Sequence, residues 1–251
     1  MNKKLNNNNE LFLILLHAVL GLLIYFIPLF SLFFSFLITI LSFVYIFRSK
    51  NKLKAILISA GYIACSDVLF RMTHGLLFYE LHKYLLMGFA LLGVFYSFGN
   101  TKGFIYIFSL FLLLVGIIFT EYSFLENPRK MILFNLSGPI SLCLFSLFCY
   151  GKKISLIHLN KIIFISFLPI VTILVYMFLY TPDLKQVITG TGSSHRASGG
   201  FGPNQVATVL GFGMFVLITR LILNKFKKTQ FILEFVLLAL ITFRGLATFS
   251  R

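Results

Sequence analysis

A succession of apolar runs, each about 16 to 20 residues long, constrains the fold of this chain more than any other feature. A run of that length forms one helix across the hydrocarbon core of a bilayer. The composition agrees, because 59% of the residues are hydrophobic, 12% are charged and the mean hydropathy is +0.95, whereas about a quarter of the residues of a soluble domain are charged. The sequence predicts an all-α polytopic membrane protein, one multi-spanning domain over residues 1–251, with about nine transmembrane helices at about 11–27, 29–47, 54–70, 83–98, 103–120, 132–150, 162–180, 205–223 and 230–249.

Pro28 divides the first apolar run, which covers about 37 residues and is too long for one helix across a core of about 30 Å. Proline removes a backbone donor and interrupts a helix interior. We therefore expect a turn at Pro28 between two spans.

The net charge of +15 comes mainly from basic residues in alternate connections, as the positive-inside rule requires of cytoplasmic loops. The opposite connections contain few basic residues. This pattern predicts a cytoplasmic N-terminus and an extracytoplasmic segment 181–204, and it explains the charge without nucleic acid. The basic residues predicted to face the cytoplasm are Lys3, Lys4, Arg48, Lys50, Lys52, Lys54, Lys102, Lys152, Lys153, Lys161, Lys225, Lys227 and Lys228.

The sequence also lacks the motifs of several other site classes. Cys65, Cys143 and Cys149 have no CxxC spacing, so neither a disulfide framework nor a metal site is predicted. The run Gly190-Thr191-Gly192 completes neither a dinucleotide-binding nor a P-loop motif. No cofactor is predicted.

The polar, glycine-rich segment 189–204 is the strongest candidate for a functional site. Arg196 offers a planar group with five donors for phosphate or carboxylate, and Gly200 lets the backbone approach a ligand closely. Asn204 is placed to cap the following span, whose first amides would face the same space. We therefore expect a site for phosphate or pyrophosphate here. His195 is the candidate general base or a further pyrophosphate donor; the alternative for Arg196 is a solvated loop arginine.

Further ionisable residues lie near the predicted helix ends. Arg244 and Arg251 are two helical turns apart and are expected to join Arg196 around a polyanion, the alternative for Arg244 being a side chain that reaches the interface. Asp67 and Arg71 have the spacing of an i, i+4 ion pair, which we expect to be structural, with a catalytic pair as the alternative. Three neighbouring residues form an expected interfacial surface, with proton transfer or acceptor binding as the alternative: Glu80, His82 and Lys83. A pairing of Glu234 with Lys227 or Lys228 is also expected.

The run Arg-Ala-Ser-Gly-Gly-Phe-Gly-Pro-Asn at 196–204, followed by Leu-Ala-Thr-Phe-Ser-Arg at 246–251, resembles the O-antigen ligase and O-antigen polymerase superfamily of bacterial envelope proteins. The resemblance implies a glycosyltransferase of the bacterial inner membrane. Its donor would be a glycan on undecaprenyl pyrophosphate, and its acceptor a sugar hydroxyl of lipid A core or of a lipid-linked repeat. Arg196 and Arg251 would match the family's arginines and bind the pyrophosphate, whose departing charge they would stabilise without a compulsory metal.

The family pattern continues past its Ser-Arg step with glycine, further spans and an extracytoplasmic loop that carries a histidine. The chain therefore resembles the N-terminal portion of such an enzyme, truncated after Arg251, and a fragment of this kind is expected to be inactive alone. Ligase and polymerase remain open. So do a transporter for lipid-linked glycans and an assembly subunit without catalysis.

Overall fold

The computed structural model describes residues 7–97, 103–119, 128–181, 192–224 and 226–248, and side chains are described for all of these except residues 7, 128–130 and 134. Within these ranges the chain forms nine α-helices and no strand. The helices are α1 (Asn7–Phe26), α2 (Pro28–Arg48), α3 (Lys52–Met72), α4 (Leu81–Tyr96), α5 (Phe104–Ile118), α6 (Pro128–Cys149), α7 (Leu156–Tyr180), α8 (Pro203–Leu223) and α9 (Lys228–Ala247).

Seven of the described helices are long and apolar enough to cross a membrane, so the chain is a multi-pass membrane protein. The other two, α4 with 16 residues and α5 with 15 residues, are apolar but shorter. The predicted all-α polytopic class is confirmed. The structure confirms nine helices within the described residues but not nine spans. Helices α4 and α5 are only about 24 and 22 Å long, shorter than a hydrocarbon core of about 30 Å.

The break at Pro28 is confirmed. Helix α1 ends at Phe26, and Pro28 occupies the first position of α2. That position tolerates proline because its N–H would have no partner within the helix. One residue, Ile27, therefore separates two spans.

Helices that follow one another in the chain run in opposite directions. In each antiparallel pair, a residue near the start of one helix contacts a residue near the end of the other, and α1 runs parallel to α7 through contacts at His17–Thr172 and Tyr25–Tyr176. We call the end where α1 begins the proximal end and the opposite end the distal end. The contacts that define the antiparallel pairs are Ser31–Thr73, Asp67–His82, Tyr106–Tyr150, Phe164–Arg220 and Arg220–Glu234.

Helices α3 and α7 form the centre of the bundle, since most of their residues in the middle turns are buried. Small residues allow the helices to approach. A Cβ on Gly21 of α1 would lie 2.9 Å from both the carbonyl oxygen of Thr172 and Cβ of Val175. Helix α5 has no fully buried side chain, and it packs mainly against α6 at the edge of the bundle.

Candidate functional site at the distal end

Residues 194–200 form a single compact turn, here called the Arg196 turn. Ser194 accepts at its Oγ from the amide of Ala197, at 3.2 Å, and its carbonyl accepts from the amide of Ser198, at 3.1 Å. The amide of Gly200 donates to the carbonyl of His195, at 2.8 Å. The Ser194 side chain therefore caps the start of this turn, and the hydrogen bond from the Gly200 amide to the His195 carbonyl closes its end. The two ends of a short helix are capped in the same way.

Two glycines end the turn because the backbone there is left-handed and closely packed. Gly199 and Gly200 have φ of 70° and 79°, a region that residues with a Cβ rarely adopt. A Cβ on Gly199 would lie 2.9 Å from Cε of Met72 in α3, and one on Gly200 would lie 2.7 Å from the hydroxyl oxygen of Tyr180 in α7. Gly200 thus allows the turn to pack directly against Tyr180 of α7.

The Arg196 turn is fixed to two helices. Thr181, which caps the end of α7, donates from Oγ1 to the carbonyl of Arg196, at 2.6 Å. The amide of Ser194 donates to the carbonyl of Thr248 at the end of α9, at 3.2 Å. Residues 197–199 are buried whereas His195 and Arg196 are exposed, so the turn presents both side chains outward from an anchored backbone.

Among the residues that the structure describes, no acidic side chain forms an ion pair with Arg196. Each acidic residue whose side chain the structure describes forms an ion pair elsewhere: Glu10 and Glu234 with Arg220, Asp67 with Arg71, and Glu80 with Lys83. Helix α8 begins seven residues after Arg196, and the start of a helix carries partial positive charge. An exposed guanidinium is suited to binding an anion.

Asn204 does not cap α8, contrary to expectation. The capping residue is Gly202, without a side-chain bond, Pro203 is the first helical residue, and Asn204 is the exposed second one. The proline explains the difference, because its fixed φ makes it the preferred first helical residue, which places the cap at Gly202, two positions before Asn204. Asn204 still lies in the first turn, at the end of the helix that faces the distal side.

Arg244 lies inside the bundle and not beside Arg196 on the exposed surface. Its side chain is fully buried, and Nη2 donates to the carbonyls of Met177 and Thr181, at 3.0 and 2.8 Å. The guanidinium also lies over the ring of Phe178, 4.2 Å from its centroid. The last carbonyls of a helix lack partners and attract a cation, so Arg244 completes the end of α7. Through the carbonyl of Thr181 it is linked to the Arg196 turn, and its expected role in binding pyrophosphate stays a prediction.

Arg251 and residues 182–191 lie outside the described residues. The expected convergence of Arg251 with Arg196 therefore stays a prediction, as does the structure of most of the segment 181–204.

A second polar group, the distal ion-pair cluster, joins α3, α4 and α6. Its members are Asp67, Arg71, Glu80, His82 and Lys83, and the expected pair is formed with 2.9 Å between Nε of Arg71 and Oδ2 of Asp67. Lys83 Nζ lies 2.7 Å from Oε2 of Glu80, which also accepts from Ser137 of α6. Contrary to the interfacial surface expected, His82 is only 1% exposed and its ring packs edge-on against Phe70. Its position on the inward face of α4 explains this.

A second cluster of ion pairs, here called the proximal ion-pair cluster, lies at the proximal end and was not predicted from the sequence. Arg220 of α8, 1% exposed, donates from Nη2 to Glu234 of α9 at 2.6 Å and to Glu10 of α1 at 2.8 Å. Gln230 adds a 2.6 Å bond to Glu10. The expected pairing of Glu234 with Lys227 or Lys228 is wrong, because Glu234 is fully buried facing α8. The sequence feature that could have indicated this cluster is Arg220 itself, because a charged residue inside a predicted span requires a partner.

The chain matches no known family model, no curated protein and no solved structure.

Proposed function

We propose that the protein binds a glycan linked to undecaprenyl pyrophosphate at the distal end and transfers the glycan to a sugar hydroxyl, as an O-antigen ligase or polymerase does. The observation that carries the proposal is the exposed Arg196 on a turn held by both α7 and α9. The motif resemblance at 196–204 supplies the substrate class, and the membrane-spanning helices agree with a lipid-linked donor.

In the proposed reaction, the oxygen of the acceptor hydroxyl attacks the anomeric carbon of the donor glycan. A new glycosidic C–O bond forms, the bond from that carbon to the pyrophosphate oxygen breaks, and undecaprenyl pyrophosphate leaves with the bonding electron pair. Arg196 stabilises the charge that develops on the leaving group. The hydroxyl proton passes to a base, for which exposed His195 is the candidate in this chain.

The proposed location is the bacterial inner membrane, with a cytoplasmic N-terminus and an extracytoplasmic Arg196 turn. The distribution of lysines supports this orientation. The distal end has the single described lysine side chain Lys83, whereas the proximal end carries Lys50, Lys52, Lys54, Lys152, Lys153, Lys161, Lys227 and Lys228.

Donor binding is tested first, on the purified protein in detergent, with farnesyl pyrophosphate as the probe and farnesol as the probe without charge. Arg196→Ala should raise the Kd of the pyrophosphate probe about 10- to 100-fold, the range expected for loss of a charged hydrogen-bonded group. Arg196→Lys should give an intermediate value, because lysine keeps the charge without the two-pronged geometry. Arg48→Ala is the matched control, an exposed arginine at the proximal end. Equal affinity in Arg196→Ala and Arg48→Ala would refute the site.

Transfer is tested in bacterial cells in which the intact gene is replaced by the Arg196→Ala form. A transferase defect leaves the lipid-linked glycan accumulated on the outer face of the membrane, with no glycan joined to its acceptor. Accumulation on the cytoplasmic face would instead identify a transporter. Normal glycan transfer in these cells would contradict both. Assaying lipid A core and the lipid-linked repeat as separate acceptors distinguishes ligase from polymerase.

A further inference from the structure

A basic cavity of about 200 Å³ lies at the proximal end, between the start of α3 and the connection that leads into α7. Its polar lining residues are Asn51, Lys54, Lys153, Ser155 and His158. The cavity lies at the end of the molecule opposite the Arg196 turn and shares no residue with it.

The basic cavity is positively charged, and no acidic side chain among the described residues lines it. The described acidic side chains all belong to the two ion-pair clusters. Concentrated cations of this kind favour an anionic guest.

The two helices that border the cavity add to this field. Asn51 caps α3 by accepting from the amide of Lys54, at 3.0 Å, and Ser155 caps α7 by accepting from the amide of His158, at 3.4 Å. Helices α3 and α7 run in the same direction and pack together, with Gly61 against Ser166. Their starts therefore lie side by side, and the partial positive charges of two helix ends point to one space.

The remaining wall of the basic cavity is apolar, formed by Leu53, Ile154 and Ile162. Both bordering helices are long enough to span a membrane, so the cavity lies at the level where the polar headgroups of the proximal leaflet meet the helix ends. We propose that the basic cavity binds the phosphate group of an anionic phospholipid of that leaflet. Lys54 and Lys153 contact the phosphate, and the apolar wall accommodates the start of the acyl region.

The test is thermal unfolding of the purified protein in detergent, titrated with phosphatidylglycerol or with phosphatidylcholine. Phosphatidylglycerol should raise Tm in a saturable way and phosphatidylcholine should not. Replacing both lysines, Lys54→Gln with Lys153→Gln, should raise the apparent Kd for phosphatidylglycerol about tenfold or more. The matched control is Lys227→Gln with Lys228→Gln, which removes two exposed charges from the same end outside the cavity and should leave the Kd unchanged.

Three outcomes would overturn the proposal. Equal weakening in the two double variants would show diffuse attraction to a basic surface. Equal stabilisation of the wild-type protein by soluble glycerol phosphate at the same concentration would assign the cavity to a soluble phosphate. If the glutamine variant does not fold, Lys54→Arg with Lys153→Arg keeps the charge, and loss of phosphatidylglycerol binding in this folded variant would also contradict the site.

Discussion

At the scale of single residues, Thr181 is the link on which the exposure of Arg196 depends. Its Oγ1 donates to the carbonyl of Arg196, while its own carbonyl accepts from buried Arg244. Thr181→Val removes the hydroxyl and keeps the branched shape. Loss of one hydrogen bond of about 1 kcal/mol should loosen the Arg196 turn, and trypsin should cleave after Arg196 about fivefold faster. Mass spectrometry of timed digests measures this rate.

Cleavage in the exposed connection after Lys227 is the internal control and should not change. Uniform acceleration at both positions would mean global destabilisation, and no acceleration at Arg196 would contradict the link. The anion-binding role of Arg196 stays a prediction from the sequence, whereas the burial of Arg244 is evident only in the structure. Spacing along a chain gives the face of one helix, whereas the direction of Arg244 depends on where the carbonyls of α7 end.

At the scale of elements, glycine sets how closely α1 approaches α7. Gly21→Ala would place a Cβ 2.9 Å from the backbone oxygen of Thr172, which cannot rotate away. We expect a loss of about 1 to 3 kcal/mol, the range for overpacking a well-packed core. The free energy of unfolding in detergent and denaturant measures it. Gly211→Ala is the control, because Gly211 is helical and exposed with nothing within 4 Å of the added Cβ. An equal effect of both substitutions would contradict the close approach.

Helix positions were largely predictable, and helix contacts were not. Runs of apolar residues and Pro28 place the helices because the bilayer imposes both length and polarity on each span. The same uniform polarity hides which face of a helix meets protein and which meets lipid, since both faces are apolar. Helix α5 is the clearest case, with no buried side chain despite a strongly apolar sequence. Its place at the edge of the bundle follows only from the structure.

At the scale of the whole molecule, the proximal ion-pair cluster joins the first described helix to the last two. Glu10 and Arg220 are separated by 210 residues in sequence and by 2.8 Å in space. No local sequence pattern predicts such a contact, because each partner is a single charged residue in or beside an apolar run. The cluster therefore joins α1 to α8 and α9, and it contains two carboxylates and one guanidinium.

That imbalance gives a prediction about the stability of the whole bundle. Arg220→Leu leaves two buried carboxylates without a cation and should destabilise the protein by about 3 to 5 kcal/mol. Glu10→Gln should destabilise the protein far less, because one carboxylate, Glu234, then balances the charge of Arg220. Combining Arg220→Leu with Glu10→Gln and Glu234→Gln should recover much of the stability that Arg220→Leu alone removes. Thermal unfolding of the three variants in one detergent measures the order. If Glu10→Gln proved as damaging as Arg220→Leu, the charge imbalance would not be what governs this cluster, and its hydrogen bonds would take that role.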